Sequence, residues 1–536
     1  MLFLCYSSLV LVPQIGLLMG IPISAWEFYV SILFLLGGSW IFYRNYFDQN
    51  NKLGFFTIFG SSLLILFCTL YFSNQVIDSS FDGTWYHQDA IYLLKNGWNP
   101  NYHVLVQDET SYSERYLNHF PKSSWIFAAL LFKTTGLIEV GKSGTWLLFF
   151  SSLFIGQHIF QAIFKKKSLQ AWVLAILFAC NPILLLNLNS FYVDGQLAAL
   201  IFLGIAFAIY QIHEGGWLQG FLSLLAFSLL ANLKFTSAIY AGIFVFGFLT
   251  YLYFTHAYKV KKLIGILILW GVFTFGFLGW NPYMSNLIRH GHPLYPLSEG
   301  SKNVFDKEIV YPANFLEMNW LEKFVNGFYA EPSWNRNPLD SKMKTLFGHV
   351  PLGTYENGVP DLAGFGPIAP EVFTILLGLL VLALLISNKK SKNYLAWLGG
   401  LLVLSICINP EAWLLRYVPQ FWILIMILLF FVWEQKNFGI LAMVLAFGLF
   451  GNSYLLVRTY FSNTIARTEN FKKEVELVST SADYTYYSGW TKSAKYRFQL
   501  MGLDSSKEVY IPAEDSTAKP FSIGLGSLFR KNSIVK

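Results

Sequence analysis

The feature that most restricts this chain is a succession of apolar stretches, each close to the roughly 20 residues that carry an α-helix across a bilayer. They recur from one end of the sequence to the other. In hydrocarbon the backbone closes its own hydrogen bonds, and stretches of this length read as helices. The expected fold is an all-α polytopic membrane protein. We place its spans at residues 2–20, 25–43, 54–73, 144–164, 169–188, 196–212, 217–231, 235–254, 263–280, 372–386, 394–408, 418–433 and 439–457, about 13 transmembrane helices. Only 13% of residues are charged, about half the share in a soluble domain.

Orientation follows from lysine and arginine in the short loops, which mark the cytoplasmic side. Arg44 and Lys52, Lys165 to Lys167, Lys259, Lys261 and Lys262, Lys389, Lys390 and Lys392, and Lys436 all fall in alternate loops. One frame accommodates them: N-terminus cytoplasmic, C-terminal tail and both long loops external. The first span lacks a basic leader and a small-residue cleavage site, so it reads as a retained helix. Cys5, Cys68, Cys180 and Cys407 lie within or at the ends of apolar spans with no metal or disulfide spacing. The net charge of +7 is concentrated in the cytoplasmic loops, so it points to topology and anionic membrane lipid, with no nucleic acid partner.

Chemistry is expected outside the bilayer, in the domain organisation 1–457 (a transmembrane domain with external loops 74–143 and 281–371) and 458–536 (an external tail or small α/β region). In the tail, Tyr484, Tyr486 and Tyr487 alternate, and Glu508-Val509-Tyr510-Ile511 reads as a strand. The first loop carries the run Phe81-Asp82-Gly83-Thr84-Trp85-Tyr86-His87-Gln88-Asp89. Asp82 or Thr84 suits a helix N-cap, Gly97 suits its end, and Ala90, Ile91, Leu93 and Leu94 form an apolar stripe. The pattern predicts a helix lying at the membrane surface, with Asp82 and Asp89 on roughly the same face. An Asp before a helix is commonly just its cap, so Asp82 alone does not establish catalysis.

This run resembles the GT-C superfamily of membrane glycosyltransferases, whose catalytic base is an acid opening an interfacial helix in the first external loop. Asp82 matches that position. Many members carry a second acid directly after the first, where this chain has Gly83, so the resemblance is to a divergent bacterial type. Phe120-Pro121-Lys122-Ser123-Ser124-Trp125 looks like the family's second interfacial helix. Phe191-Tyr192-Val193-Asp194-Gly195 looks like its next external turn, and Trp280-Asn281-Pro282-Tyr283 resembles a run in bacterial relatives.

The resemblance implies a donor sugar on a polyprenyl phosphate and a glycan, lipid or protein acceptor, at the outer face of a cytoplasmic membrane. The chain has no P-loop and no dinucleotide Gly-rich turn, consistent with a donor that arrives through the lipid. Such a reaction needs a base for the acceptor hydroxyl and cations for the departing phosphate. Asp82 is the expected base. His87, Gln88, Asp89, Asp194, Lys234 and Arg416 are the expected substrate-binding residues, with Lys234 and Arg416 the phosphate partners. The alternative for these cations is snorkelling or pairing with carboxylates. No spacing among His87, His103, His119, His290 and His292 forces a metal site, so a divalent metal is left open. A glycan polymerase or ligase using a pyrophosphate-linked lipid would need the same groups. A transporter or lipid flippase is the reading from another class.

Overall fold

A chain this apolar closes its backbone hydrogen bonds locally, and the computed structural model is 71% helical. It describes residues 1–46, 52–105, 112–256, 258–297, 311–334, 339–345, 347–435, 437–524 and 526–531. Lys436 lies outside the described residues, as do the side chains of Lys52 and Lys390.

Each of the 13 predicted spans coincides with a helix over most of its length. Among the described residues, six helices are long and apolar enough to cross a membrane: Gly54–Asn74, Asp194–Glu214, Phe235–Thr255, Val260–Leu278, Ala369–Ile386 and Gly439–Thr480. Five more are apolar but shorter: Leu2–Leu18, Trp26–Ile41, Ser168–Ala179, Trp217–Ala231 and Gln420–Trp433. The remaining two, Ser143–Ala162 and Lys389–Cys407, are diluted by hydroxyl, amide and lysine side chains. The expected span 169–188 is interrupted. Its helix stops at Ala179, and Asn181 caps a separate turn, Pro182–Leu185, by accepting from Ile183 N. The cause is the Asn-Pro pair, which ends one helix and starts the next.

Helix Gly439–Thr480 runs unbroken past residue 457. Beyond the apolar part its buried positions are Tyr460, Thr464, Thr468, Phe471, Val475 and Val478, the three-and-four spacing of one helix face. That face supports the tail. Phe471, Val475 and Val478 pack with Phe498, Phe521 and Phe529 into a small core that also takes Ile77 from the first loop. The sheet is formed by β1 (Tyr484–Tyr487), β2 (Lys519–Pro520) and β3 (Leu528–Lys531), antiparallel in the order β1-β3-β2 with Tyr486 opposite Phe529. The alternating tyrosines are therefore a strand. Glu508–Ile511, expected to be another, contributes only a single bridge from Glu508 to Tyr486.

Contacts between loops sort into two ends of the bundle. At one end, first-loop residues meet the turn at 190–194, the hairpin around Arg416 and the tail. At the other, Lys166 pairs with Glu434, and Tyr394 Oη lies 3.0 Å from His213 Nε2. The second long loop covers the first end, where Phe315 and Leu362 pack on Trp413 and Leu414.

Candidate active site

Asp78, Ser80 and Gly83 shape the turn that presents Asp82. Asp78 Oδ1 accepts from Ser80 N at 2.8 Å and Oδ2 from Phe191 N at 3.0 Å. This buried carboxylate thus ties the first loop to the turn before Asp194. It also explains Gly83: a Cβ there would stand 2.1 Å from Asp78 Oδ2, so a second acid after Asp82 has no room. The helix that follows opens with a π-turn, Gly83–His87, and continues as Gln88–Lys95 until Gly97 at φ +102°. Asp82 occupies the cap position, but its side chain makes no capping hydrogen bond. The helix is stitched instead by Thr84 Oγ1, which donates to Ser80 O at 2.7 Å.

The Asp82 carboxylate faces Arg416, with Oδ2 3.9 Å from Nη1, and its backbone N–H donates to Tyr192 Oη at 3.4 Å. The Arg416 guanidinium lies 5.5 Å from the ring centre of Tyr192 and 5.3 Å from that of Tyr417. Lys234 Nζ sits 3.9 Å from the Tyr417 ring centre and 2.9 Å from Asp194 Oδ1. Two carboxylate–cation pairs from four chain segments are therefore joined through tyrosine rings. Burial works against the Arg416 charge, but Tyr417, Tyr192, Asp82 and Asp361 outweigh it and hold the guanidinium well above its ordinary pKa. Glu411 fixes the hairpin that carries Arg416, accepting from Tyr311 Oη and from Trp413 Nε1 at 2.8 Å.

Of the other expected residues, His87 borders this cluster. Its Nδ1 accepts from Trp125 Nε1 at 2.6 Å, which leaves the proton of the neutral ring on Nε2. Burial, with Lys234 adding to it, pushes its pKa down to about 3. Gln88 and Asp89 are held elsewhere. Asp89 accepts from Ser493 N at 2.7 Å and Lys492 N at 3.3 Å, anchoring the first turn of the tail helix Lys492–Leu500. Gln88 Oε1 accepts from Arg497 Nη2 at 2.5 Å, and the same nitrogen donates to Glu139 Oε1 at 2.7 Å. The π-turn takes more residues per turn than an α-helix, so the seven-residue spacing from Asp82 to Asp89 no longer returns to one face.

Tyr86, Tyr192, Tyr417 and Asp361 belong to the same neighbourhood and were not singled out from sequence. Tyr192 and Tyr417 flank residues already in view, whereas Asp361 sits in a loop without periodicity. The segment expected as a second interfacial helix, Ser123–Thr135, is buried from Ser123 to Phe132 and packs on Leu2–Leu18 and Gln88–Lys95. His119 Nδ1 lies 2.8 Å from Asn286 Oδ1, and His290 stacks on Tyr295. Among the described residues, no three His, Cys, Asp or Glu side chains group as a metal site. The chain matches no protein-family model, no curated protein and no solved structure.

Proposed function

We propose that the chain is a GT-C-like membrane glycosyltransferase, moving a sugar from a polyprenyl-phosphate donor to an acceptor hydroxyl at the outer face of a cytoplasmic membrane. The observation that carries this reading is the meeting of Asp82 with Arg416, and of Asp194 with Lys234, around Tyr192 and Tyr417. Supporting it, the loop contacts fall on two ends in the alternation that 13 spans give, with the basic loop residue Lys166 at the end opposite Asp82. In this frame the N-terminus is cytoplasmic and the tail external. The candidate site then faces away from nucleotide sugars, and the donor comes through the lipid.

Asp82 takes the proton of the acceptor hydroxyl as its oxygen bonds to the anomeric carbon. The bond from that carbon to the phosphate oxygen breaks, and the electron pair leaves with the phosphate. Arg416, whose charge its surroundings secure, and Lys234, partly exposed beside Asp194, offset the developing anion. The spacing of Asp82 from Arg416 is too long for a tight pair, which leaves the guanidinium able to engage a phosphate.

The test is transfer of labelled sugar from a panel of polyprenyl-phosphate sugars by purified wild type and Asp82→Asn. The expected loss in kcat is about 10²- to 10⁴-fold. Thermal stability should change little, since a long, part-exposed ion pair contributes below about 1 kcal/mol. A fully active Asp82→Asn enzyme would remove Asp82 as base. A wild type that consumes no donor would move the transporter reading ahead.

A further inference from the structure

Away from the Asp82 cluster and sharing no residue with it, a cavity of about 620 Å³ lies between the first turns of helix Ala369–Ile386, the long helix at Leu455 and the segment 347–352. That is the size range of small-molecule sites. Its walls are largely apolar, including Val350, Ile368, Val372 and Ile375, yet it contains the ion pair of Lys344 with Glu371. Both charged side chains are more than nine-tenths buried.

The pair is not closed. Glu371 Oε1 is taken by Lys344 and by Phe347 N at 3.2 Å, while Oε2 is buried with no hydrogen-bond partner among the described residues. A buried carboxylate oxygen without a donor is costly and calls for an occupant that brings one. Phe347, at φ +60° and 75% exposed, is held at the rim in a conformation that non-glycine residues seldom adopt.

Two neighbouring surfaces identify the occupant. Ile375 both lines the cavity and is exposed, and Leu382 and Ile386 continue its stripe along an apolar helix long enough to cross a membrane. The cavity therefore opens onto a surface suited to an acyl chain. On the other flank, an adjoining cavity of about 470 Å³ shares Leu352 and Leu455 and is lined by Glu356, Arg458, Thr459, Ser462 and Asn463. Arg458 there, with hydroxyl and amide neighbours beside Glu356, and the unpaired Glu371 oxygen on the first flank offer groups of both signs to a headgroup bearing both charges.

We propose that this is a lipid site selective for a zwitterionic phospholipid with a primary ammonium. The ammonium donates to Glu371 Oε2, the phosphate lies toward Arg458, and a chain follows the Ile375–Leu382 stripe. The proposal rests on the membrane reading alone and is independent of the transferase chemistry.

The full chain is reconstituted in bilayer discs containing equal phosphatidylethanolamine, phosphatidylcholine and phosphatidylglycerol, and the lipids retained after release into detergent are counted by native mass spectrometry. Choline keeps the phosphate and the charge but has no donor, and the glycerol headgroup has donors without a positive charge. Phosphatidylethanolamine should be retained about tenfold over either, the factor expected of one hydrogen bond to a charged group. The preference should vanish in Ile375→Trp, which fills the mouth. It should vanish as well in Lys344→Met with Glu371→Leu, which removes both charges together so that neither is left buried alone. Equal retention of the three lipids, a preference for phosphatidylglycerol, or a preference that survives in Ile375→Trp would each overturn the assignment.

Discussion

Replacing Arg497 with Met removes one positive charge from a buried network. Asp78 and Glu139 supply two buried carboxylates, Lys142 and Arg497 two cations, and Lys142 Nζ sits 2.7 Å from Glu139 Oε2. Burial alone would raise the Glu139 pKa, but Lys142 and Arg497 outweigh it and hold it low. Without Arg497, Glu139 keeps Lys142, which also serves Asp78, and the Asp78 N–H, which donates to Oε2 at 3.1 Å. Gln88 Oε1 loses its donor as well. Breaking a buried pair from one side costs about 3–5 kcal/mol, and we expect about 3 because Lys142 still covers one oxygen. This energy docks the tail on the helix below Asp82, so it should be read locally. Backbone amides of residues 492–500 should exchange with deuterium roughly 100-fold faster in Arg497→Met, the factor that 3 kcal/mol implies. Amides of Asp194–Glu214 should not change. Adding Glu139→Gln restores one carboxylate to one cation, so the double variant should recover part of the loss, with a coupling of about 1.5–3 kcal/mol. The sign with pH also follows. A depressed carboxyl pKa stabilises above the ordinary value of 4.5 and loses that contribution as pH falls through the folded value. The gap between wild type and Arg497→Met should therefore narrow in acid. Unchanged exchange in Arg497→Met, or strict additivity in the double variant, would refute the network as the tail's anchor.

Three other outcomes are expected. Gly83→Ala should destabilise the protein by about 2 kcal/mol or more, because the new Cβ meets a buried carboxylate, and Asp78→Ala in the same chain should cost less than the two changes summed. His87 has a folded pKa of about 3 against an ordinary 6.5, so its stabilising contribution is complete above 6.5 and is lost as pH falls toward 3. In His87→Gln, which keeps an acceptor for Trp125, the slope of unfolding free energy across that window should fall by about 1.4 kcal/mol per pH unit. Arg416→Lys keeps the charge but loses the planar contact with Tyr192 and Tyr417, and its kcat/KM for a lipid-phosphate sugar should drop about tenfold, with Arg416→Gln lower still.

What could be read from sequence tracks how local its cause is. A bilayer-length apolar run specifies a helix by itself, which is why residues 217–231 match to the residue. The same runs hide interruptions made by one polar residue, as at Asn181, and turns widened by one residue, as at Gly83–His87. For the site, side-of-membrane reasoning brought Asp82, Asp194, Lys234 and Arg416 to one end. Which carboxylate meets which cation is set by packing between segments 40 to more than 300 residues apart, and sequence spacing carries no trace of it. Gln88 and Asp89 looked like substrate ligands because they follow Asp82. Their partners, Arg497 and Ser493, lie in a tail helix some 400 positions away.

The long helix Gly439–Thr480 has a consequence for how this sequence can vary. Its 42 residues form a rod about 63 Å long, with both its apolar part and the face beneath the tail packed at fixed positions. Inserting one residue between them turns everything beyond by about 100° and lifts it about 1.5 Å. Inserting seven nearly restores the angle but adds about 10 Å. Neither returns Phe471 and Val475 to their neighbours while Ser493 still reaches Asp89. The rod works as a ruler with one admissible length, and lineages descending from this sequence can change side chains on its exposed faces but gain or lose residues only in the connections on either side.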